Sequence, residues 1–372
     1  MNQTTKKVRL QSLDVLRGFD MFWIMGGSHL LIALLIWLGL PAPYLETVSN
    51  QFKHAAWSGF NFYDLIFPLF VFMSGITIPF SHYSAISKGA TAKTIQLKVI
   101  KRGVLLILIG MGFSFFKMDI SVFKPYTVLG LIGGSYMIGA SFCIYLKKPA
   151  EQLAVIFGIL VAYHFCFYWD ALPGNHDGLI TPSKTFASFV DRHLLPYHVK
   201  LHMGIFDPEG VVRYFSGSCL CILGCVFGTY IKSQPTPNAK CSGIIFVSGI
   251  LALGIGLGWN EFLPIIKPLW TPSYVVFAAG WSLILLSIFY HIIDVMQWTF
   301  FNILFLPIGM NSITIYVGAR IINFNHTNEY FLQGIASTFE ANSEKLILVF
   351  GLVAIQWLFL YFLYRNRLFL KV

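Results

Sequence analysis

Charge is scarce in this 372-residue chain: Asp, Glu, Lys and Arg together make up 11% of it, and only 16 residues are acidic. A soluble domain carries about 25% charged residues. So few charges cannot cover a water-facing surface, which excludes an ordinary soluble enzyme. The excess of Lys and Arg gives a net charge of +10. It does not imply a nucleic-acid partner, because the cytoplasmic loops of membrane proteins are enriched in these residues in any case. Cysteine forms no disulfide framework. Five of the six, Cys143, Cys166, Cys219, Cys221 and Cys225, fall in apolar runs, and Cys241 sits beside a basic loop. Cys219, Cys221 and Cys225 read as buried thiols rather than metal ligands. No cleavable leader is expected: the basic stretch Met1 to Leu10 runs into an apolar segment that is too long and has no small-residue cleavage site. The first span is therefore expected to be retained. Low-complexity tracts are absent, and no clear internal repeat is present, which weighs against an inverted-repeat transporter.

What fills the chain is apolar: 56% hydrophobic residues, 36 Phe and nine Trp, with a mean hydropathy of +0.69. A spanning helix needs about 20 mainly apolar residues. That criterion predicts an all-α polytopic membrane protein of about ten transmembrane helices, near 14–38, 62–82, 99–117, 125–146, 150–169, 210–231, 242–263, 272–292, 302–323 and 344–364. The ninth is the weakest, interrupted by Pro307, Gly309 and Asn311. Lys and Arg cluster at the N-terminus, after the second span (Lys88, Lys93, Lys98, Lys101, Arg102), at Lys147 and Lys148, at Lys232 and Lys240, and at the C-terminus. With an even number of spans these all fall on one side, the cytoplasm, with both termini; only the same-side loop near Asp294 lacks them. The other side holds the loop 39–61 and a polar segment near 170–209, too short for a domain of its own. One membrane domain over 1–372 is the expected organisation.

Ionisable groups in or beside spans are costly and are functional suspects. In "SLDVLRGFD", Asp14 and Arg17 are three apart and can pair on one helix face, either as a helix-start ion pair or with Arg17 holding an anionic ligand. In "QFKHAAWSGFNFYDLIFPLFVFMSG", Lys53, His54 and Asp64 precede an apolar run on the side away from the basic loops. An imidazole both takes and gives a proton near neutrality, so His54 is the general-base candidate, although a loop histidine is ordinarily a surface residue. Trp57 can wall a sugar ring. Asp64 can cap the helix start or orient the imidazole. In "FDPEG", Asp207 and Glu209 are acidic residues at a Pro-containing helix start, which physics favours without function, or carboxylates offered to a substrate. In "PIGMNSITIYVG", Asn311 and Ser312 either bind helices together or line a polar tunnel. His198 and His202 are four apart with His193 before them, but no cysteine or matched acid completes a metal site. No metal is assigned.

Taken in order, "SLDVLRGFDM", "FKHAAWSGFNFYDLIFPLFVFMSG", "KRGVLLILIGM", "FDPEG", "LWTPSYVVF" and "GMNSITIYVG" resemble the heparan-alpha-glucosaminide N-acetyltransferase family of transmembrane acyltransferases, in a bacterial form placed in the inner membrane. The second motif, K-H-x-x-W-x-G followed by D-L-x-F-P-x-F-x-F, is long and specific; the others are short but collinear. The resemblance implies transfer of an acetyl group from cytoplasmic acetyl-CoA to an amino sugar or related glycan acceptor on the far side. It places the active-site histidine at His54, as base or as transient acetyl carrier. Arg102, Lys98, Lys101, Arg17 and Asn311 are then expected to serve coenzyme A. Lys53, Trp57, Asp207 and Glu209 are expected to serve the acceptor. The family's asparagine late in the first span falls on Ser28, beside His29, and these are expected to take its place as donors to the thioester carbonyl. The family's Gln-Arg in the fourth span falls on Gly130 and Leu131 of "VLGLIG". The other reading is an amino-sugar permease without acyl transfer. A homodimer is left open.

Overall fold

The structure, a computed structural model, describes residues 10–116, 124–168, 180–194 and 205–370. His176, His198 and His202 lie outside the described residues. Among the described residues every regular element is helical. The helices are α1 Gln11–Trp37, α2 Ala42–Gln51, α3 Phe62–Ile86, α4 Ala92–Phe116, α5 Val128–Tyr145, α6 Pro149–Cys166 and α7 Phe186–Leu194. They continue as α8 Val211–Ser233, α9 Ala239–Asn260, α10 Pro272–Val295, α11 Phe300–Met310, α12 Ser312–Ile321, α13 Phe324–Ala336 and α14 Ala341–Arg365. Eight of those described are long and apolar enough to cross a membrane, and α11 with α12, bent by 62° at Asn311, make a ninth. Helix α4, 25 residues long, stands where the third span is expected. This is an all-α multi-pass membrane protein.

The chain clusters into two compact units. One comprises residues up to Phe52, Pro237–Phe246 and Leu285–Lys371; the other comprises Lys53–Thr236 and Val247–Ile284. In the first unit α1 packs on α11, and α14 packs on α1 and α13. The α1–α11 contact is backbone against backbone: a methyl on Gly18 would stand 1.9 Å from the Phe305 carbonyl oxygen, and one on Gly309 1.8 Å from that of Asp14.

In the second unit α3, α5 and α8 pack on one another, α4 covers α5, and α6 covers α8. Lipid tails are as apolar as leucine, so helices in a bilayer associate by close packing and hydrogen bonds rather than by expelling water. Small residues accordingly line the α3–α8 seam. A methyl on Gly75 would lie 1.9 Å from the Cys221 carbonyl oxygen, and one on Gly224 2.1 Å from that of Phe72. Cys219, Cys221 and Cys225 are buried free thiols on α8, and the described residues contain no group of His, Cys, Asp or Glu arranged to hold a metal.

The seam makes a test. Gly75→Ala forces the α3 and α8 backbones apart and is expected to destabilise the protein by about 1–3 kcal/mol, the usual cost of overpacking. Gly158→Ala on α6, where nothing lies within 4 Å of the added methyl, is expected to be neutral or slightly stabilising. Thermal melting of both variants in detergent checks this.

Candidate active site

The site grows from the first turn of α3. Asn61 and Asp64 form a reciprocal capping box there, which satisfies helix-start amides that would otherwise lack partners. The Asp64 carboxylate is fully buried. Its Oδ2 accepts the backbone N–H groups of Ala55 at 3.2 Å and Asn61 at 3.0 Å. These bonds fold the preceding loop back over the helix start, and Asn61 Nδ2 donating to the Lys53 carbonyl at 3.0 Å closes it. The loop thereby brings His54 Nδ1 to 2.8 Å from Asp64 Oδ1. The imidazole is half exposed, with 47% of its side-chain surface accessible, while the carboxylate has none.

Lys267 completes the cluster from the loop between α9 and α10. Its Nζ lies 3.1 Å from Asp64 Oδ1, 2.8 Å from His54 Nδ1 and 3.4 Å from His54 Nε2. The loop is fixed on several sides. The Tyr163 hydroxyl donates to the Leu269 carbonyl at 2.6 Å, Arg213 Nε to the Pro268 carbonyl at 3.3 Å, and the Tyr274 hydroxyl to the backbone carbonyl of Asp64 at 2.8 Å. Trp270, next in the chain, has φ 50°, a left-handed conformation that costs a bulky residue energy and clusters at functional sites. Burial pulls the Lys267 ammonium below the ordinary lysine range, and the Asp64 charge opposes that shift.

A third element is the "FDPEG" turn that starts α8. Asp207 is buried, pairs with Lys124, and accepts the Glu209 N–H at 3.0 Å. Its own N–H donates to Asp191 Oδ2 at 3.0 Å. Asp191, on α7, is in turn paired with Arg213 at 2.6 Å, and both side chains are fully buried. Glu209 is left facing a cavity of about 280 Å³ that His54, Lys267, Phe67, Leu131 and Trp270 also line. Burial, then the neighbouring Asp207 charge, pushes the Glu209 carboxyl up to about 7.

The sequence candidates divide accordingly. His54, Asp64 and Glu209 come together at the cavity. Lys53 is exposed. Asp207 works inside the turn. The Trp57 indole donates to the Ile180 carbonyl at 3.0 Å and packs edge-on against Phe206; it is not among the cavity's lining residues. Arg102 lies on α4 with its guanidinium 4.8 Å above the Tyr136 ring and a buried Nε that has no partner, while Lys98 and Lys101 are exposed. Leu131, where the family pattern has arginine, is a cavity wall. Arg17, Ser28, His29 and Asn311 belong to the other compact unit. There Arg17 pairs with Asp14 at 3.2 Å, Ser28 donates to the Trp23 carbonyl at 3.4 Å, and His29 is exposed.

Lys267, Lys124, Asp191 and Arg213 escape the sequence reading. One signal was available: Lys124, Arg213 and Lys267 are cations in stretches expected on the side away from the basic loops, where routine anchoring does not place them.

The family model described as "Heparan-alpha-glucosaminide N-acetyltransferase, catalytic" matches residues 9–215. The chain belongs to this family. It is 27% identical over 380 residues to the heparan-alpha-glucosaminide N-acetyltransferase of Mus musculus, covering 86% of this chain and 56% of that protein. It is 24% identical over 428 residues to the Homo sapiens protein of the same name, covering 98% of this chain and 60% of that one. The chain thus spans somewhat over half the length of these relatives. The matched region of this acetyltransferase family contains His54, Asp64, Asp207 and Glu209; Lys267 lies beyond it.

The cavity carboxyl gives a pH test. Its folded value of about 7 stands above the ordinary 4.5, so the folded state binds more protons between those values. Its contribution to stability therefore falls as pH rises through that window. Glu209→Gln is expected to flatten the decline in melting temperature between about pH 5 and 8, and an unchanged slope would exclude the assignment.

Proposed function

We propose that this protein is a transmembrane acetyltransferase in which His54 serves the transfer of an acetyl group from acetyl-CoA to the amine of an amino sugar or related glycan. The observation that carries the reading is the His54–Asp64 contact at 2.8 Å at the mouth of a cavity, in a chain whose family is named for this chemistry. Nδ1 lies 2.8 Å from Asp64 Oδ1, which only accepts, and 2.8 Å from Lys267 Nζ, which donates when charged. In the tautomer whose Nδ1–H donates to Asp64, the Nε2 lone pair is available. Nε2 takes a proton from the acceptor nitrogen as that nitrogen attacks the thioester carbonyl carbon. The C–N bond forms, the C–S bond breaks, and the proton passes to the departing thiolate. Asp64 offsets the imidazolium charge in between. The Lys267 ammonium, its side chain 13% exposed, is the donor suited to the developing oxyanion, a role worth about 10²–10³ in rate. The same geometry serves an acetyl-imidazole route in which Nε2 attacks first.

Acetyl-CoA fits in part. A cavity of about 280 Å³ takes the acetyl end and a portion of a sugar, so the nucleotide lies elsewhere. Arg102 is the residue we assign to its phosphates, since guanidinium forks match phosphate. It stands over Tyr136, five residues along α5 from Leu131, an axial offset of about 8 Å at 1.5 Å per residue. That is within reach of a pantetheine arm. The bacterial inner membrane remains part of the proposal, carried by the motif resemblance; the two named relatives are mammalian.

Purified protein in detergent, labelled acetyl-CoA and a panel of amino sugars test the reading. His54→Ala is expected to abolish transfer, and Asp64→Asn to lower it by about 10²–10⁴, the range for losing general acid–base catalysis. Arg102→Ala is expected to weaken coenzyme A binding in calorimetry without lowering the melting temperature. Failure of the unmodified protein to bind coenzyme A, with sugar uptake intact in proteoliposomes, would establish the permease instead.

A further inference from the structure

One buried acid has no place in that chemistry. Asp20 lies within the membrane-spanning helix α1, is 2% exposed, and its Oδ2 has no hydrogen-bond partner. Among the described residues its side chain forms no ion pair and no hydrogen bond. The acid and base nearest along the helix, Asp14 and Arg17, are engaged with each other.

The surroundings are irregular for a spanning segment. Three residues later α1 loosens into a π-helical turn, Trp23–Gly27, where Gly26 has φ 126°. Two residues earlier, Gly18 forms the backbone crossing with Gly309 of α11. Two residues past Gly309 the paired helix breaks at Asn311, 2% exposed, with the 62° bend. Asn311 Nδ2 donates to the Pro307 carbonyl at 3.2 Å, but its Oδ1 has no partner, and neither does Thr314 Oγ1. Broken helices at membrane depth persist where they are buried in protein or line a water-filled cavity, and π-turns recur at functional sites.

An ionised carboxylate without a counter-charge is not tolerated in such a place. Either a proton or a small metal cation must neutralise it. We propose that Asp20 is a membrane-embedded cation site, filled by a proton or a sodium ion, beside the α1–α11 crossing. On the elements packed against this helix the titratable and charged groups are these: the π-turn and α11 have none, α12 has Tyr316 and Arg320, the last turns of α10 have Tyr290, His291 and Asp294, α14 has Glu344, Lys345, Tyr361, Tyr364 and Arg365, and α2 has Tyr44 and Glu46. On α1 itself the remaining ones are Asp14, Arg17 and His29. A bound cation at such a break is what a coupled carrier uses, so the site adds a function to the unit that lacks the His54 cluster.

Hydrophobic carbodiimides modify protonated carboxyls in apolar surroundings, and peptide mass spectrometry locates the adduct. The full-length protein in detergent is treated with dicyclohexylcarbodiimide between about pH 6 and 8, in sodium or choline buffer. Labelling of Asp20 that falls with rising pH and is unaffected by sodium identifies a proton site. Labelling slowed severalfold by sodium, and absent from Asp20→Asn, identifies a sodium site. An unlabelled Asp20 in folded protein, or labelling indifferent to both pH and sodium, overturns the proposal. Asp20→Glu keeps the carboxyl and is expected to remain reactive, which separates loss of the site from loss of fold.

Discussion

The buried carboxylate of Asp64 holds together everything described around His54. It receives the backbone amides of Ala55 and Asn61, the imidazole of His54 and the ammonium of Lys267, and its own carbonyl is held by Tyr274. A carboxylate taken out of water must recover its lost hydration from donors. Those donors come from the loop before α3 and from the loop after α9. The need to satisfy one charge therefore fixes the positions of segments far apart in the chain, and the ring that results is aimed by structure rather than by chance. A second fully buried pair, Asp191 with Arg213, does the same for the "FDPEG" turn and the Pro268 carbonyl. The cavity lies between these two charged anchors.

Charge in this site is close to balanced, and that bears on what it can bind. Lys267 and Lys124 stand against Asp64 and Asp207, leaving Glu209 as the carboxyl whose protonation is set by burial and by its neighbour. A group of this kind is neutral or charged according to small changes nearby, so it can meet an amine or give way to one. Lys267 is drawn below the ordinary lysine range by burial, against the opposing pull of the Asp64 charge. Asp64, His54 and Lys267 thus form one cluster of mutual contacts.

The span pattern was legible in the chain because a bilayer demands about 20 apolar residues per crossing, and the helices fall where the apolar runs predict. Even the weak ninth span is borne out as a bent pair with its break at the Asn311 named from sequence. The His54–Asp64 contact was partly legible, since a carboxylate at a helix start and a histidine ten residues earlier invite one another. Lys267 was not. It is 213 residues from His54, and no local rule links the two. Trp57 had a partner that no local pattern names: its N–H is taken by a carbonyl 123 residues away.

The sequence by itself determined the solvent of this protein, its helical class, the approximate places of its spans and its family, because hydropathy and collinear motifs are properties of short stretches. Only the tertiary structure decided which ionisable groups meet. Burial of charge is settled by donors brought from elsewhere in the chain, so Asp64 acquires its cation from the α9–α10 loop, Asp207 is absorbed into a turn, and Asp20 is left without a partner. These are outcomes of packing over long sequence separations, and no local pattern encodes them.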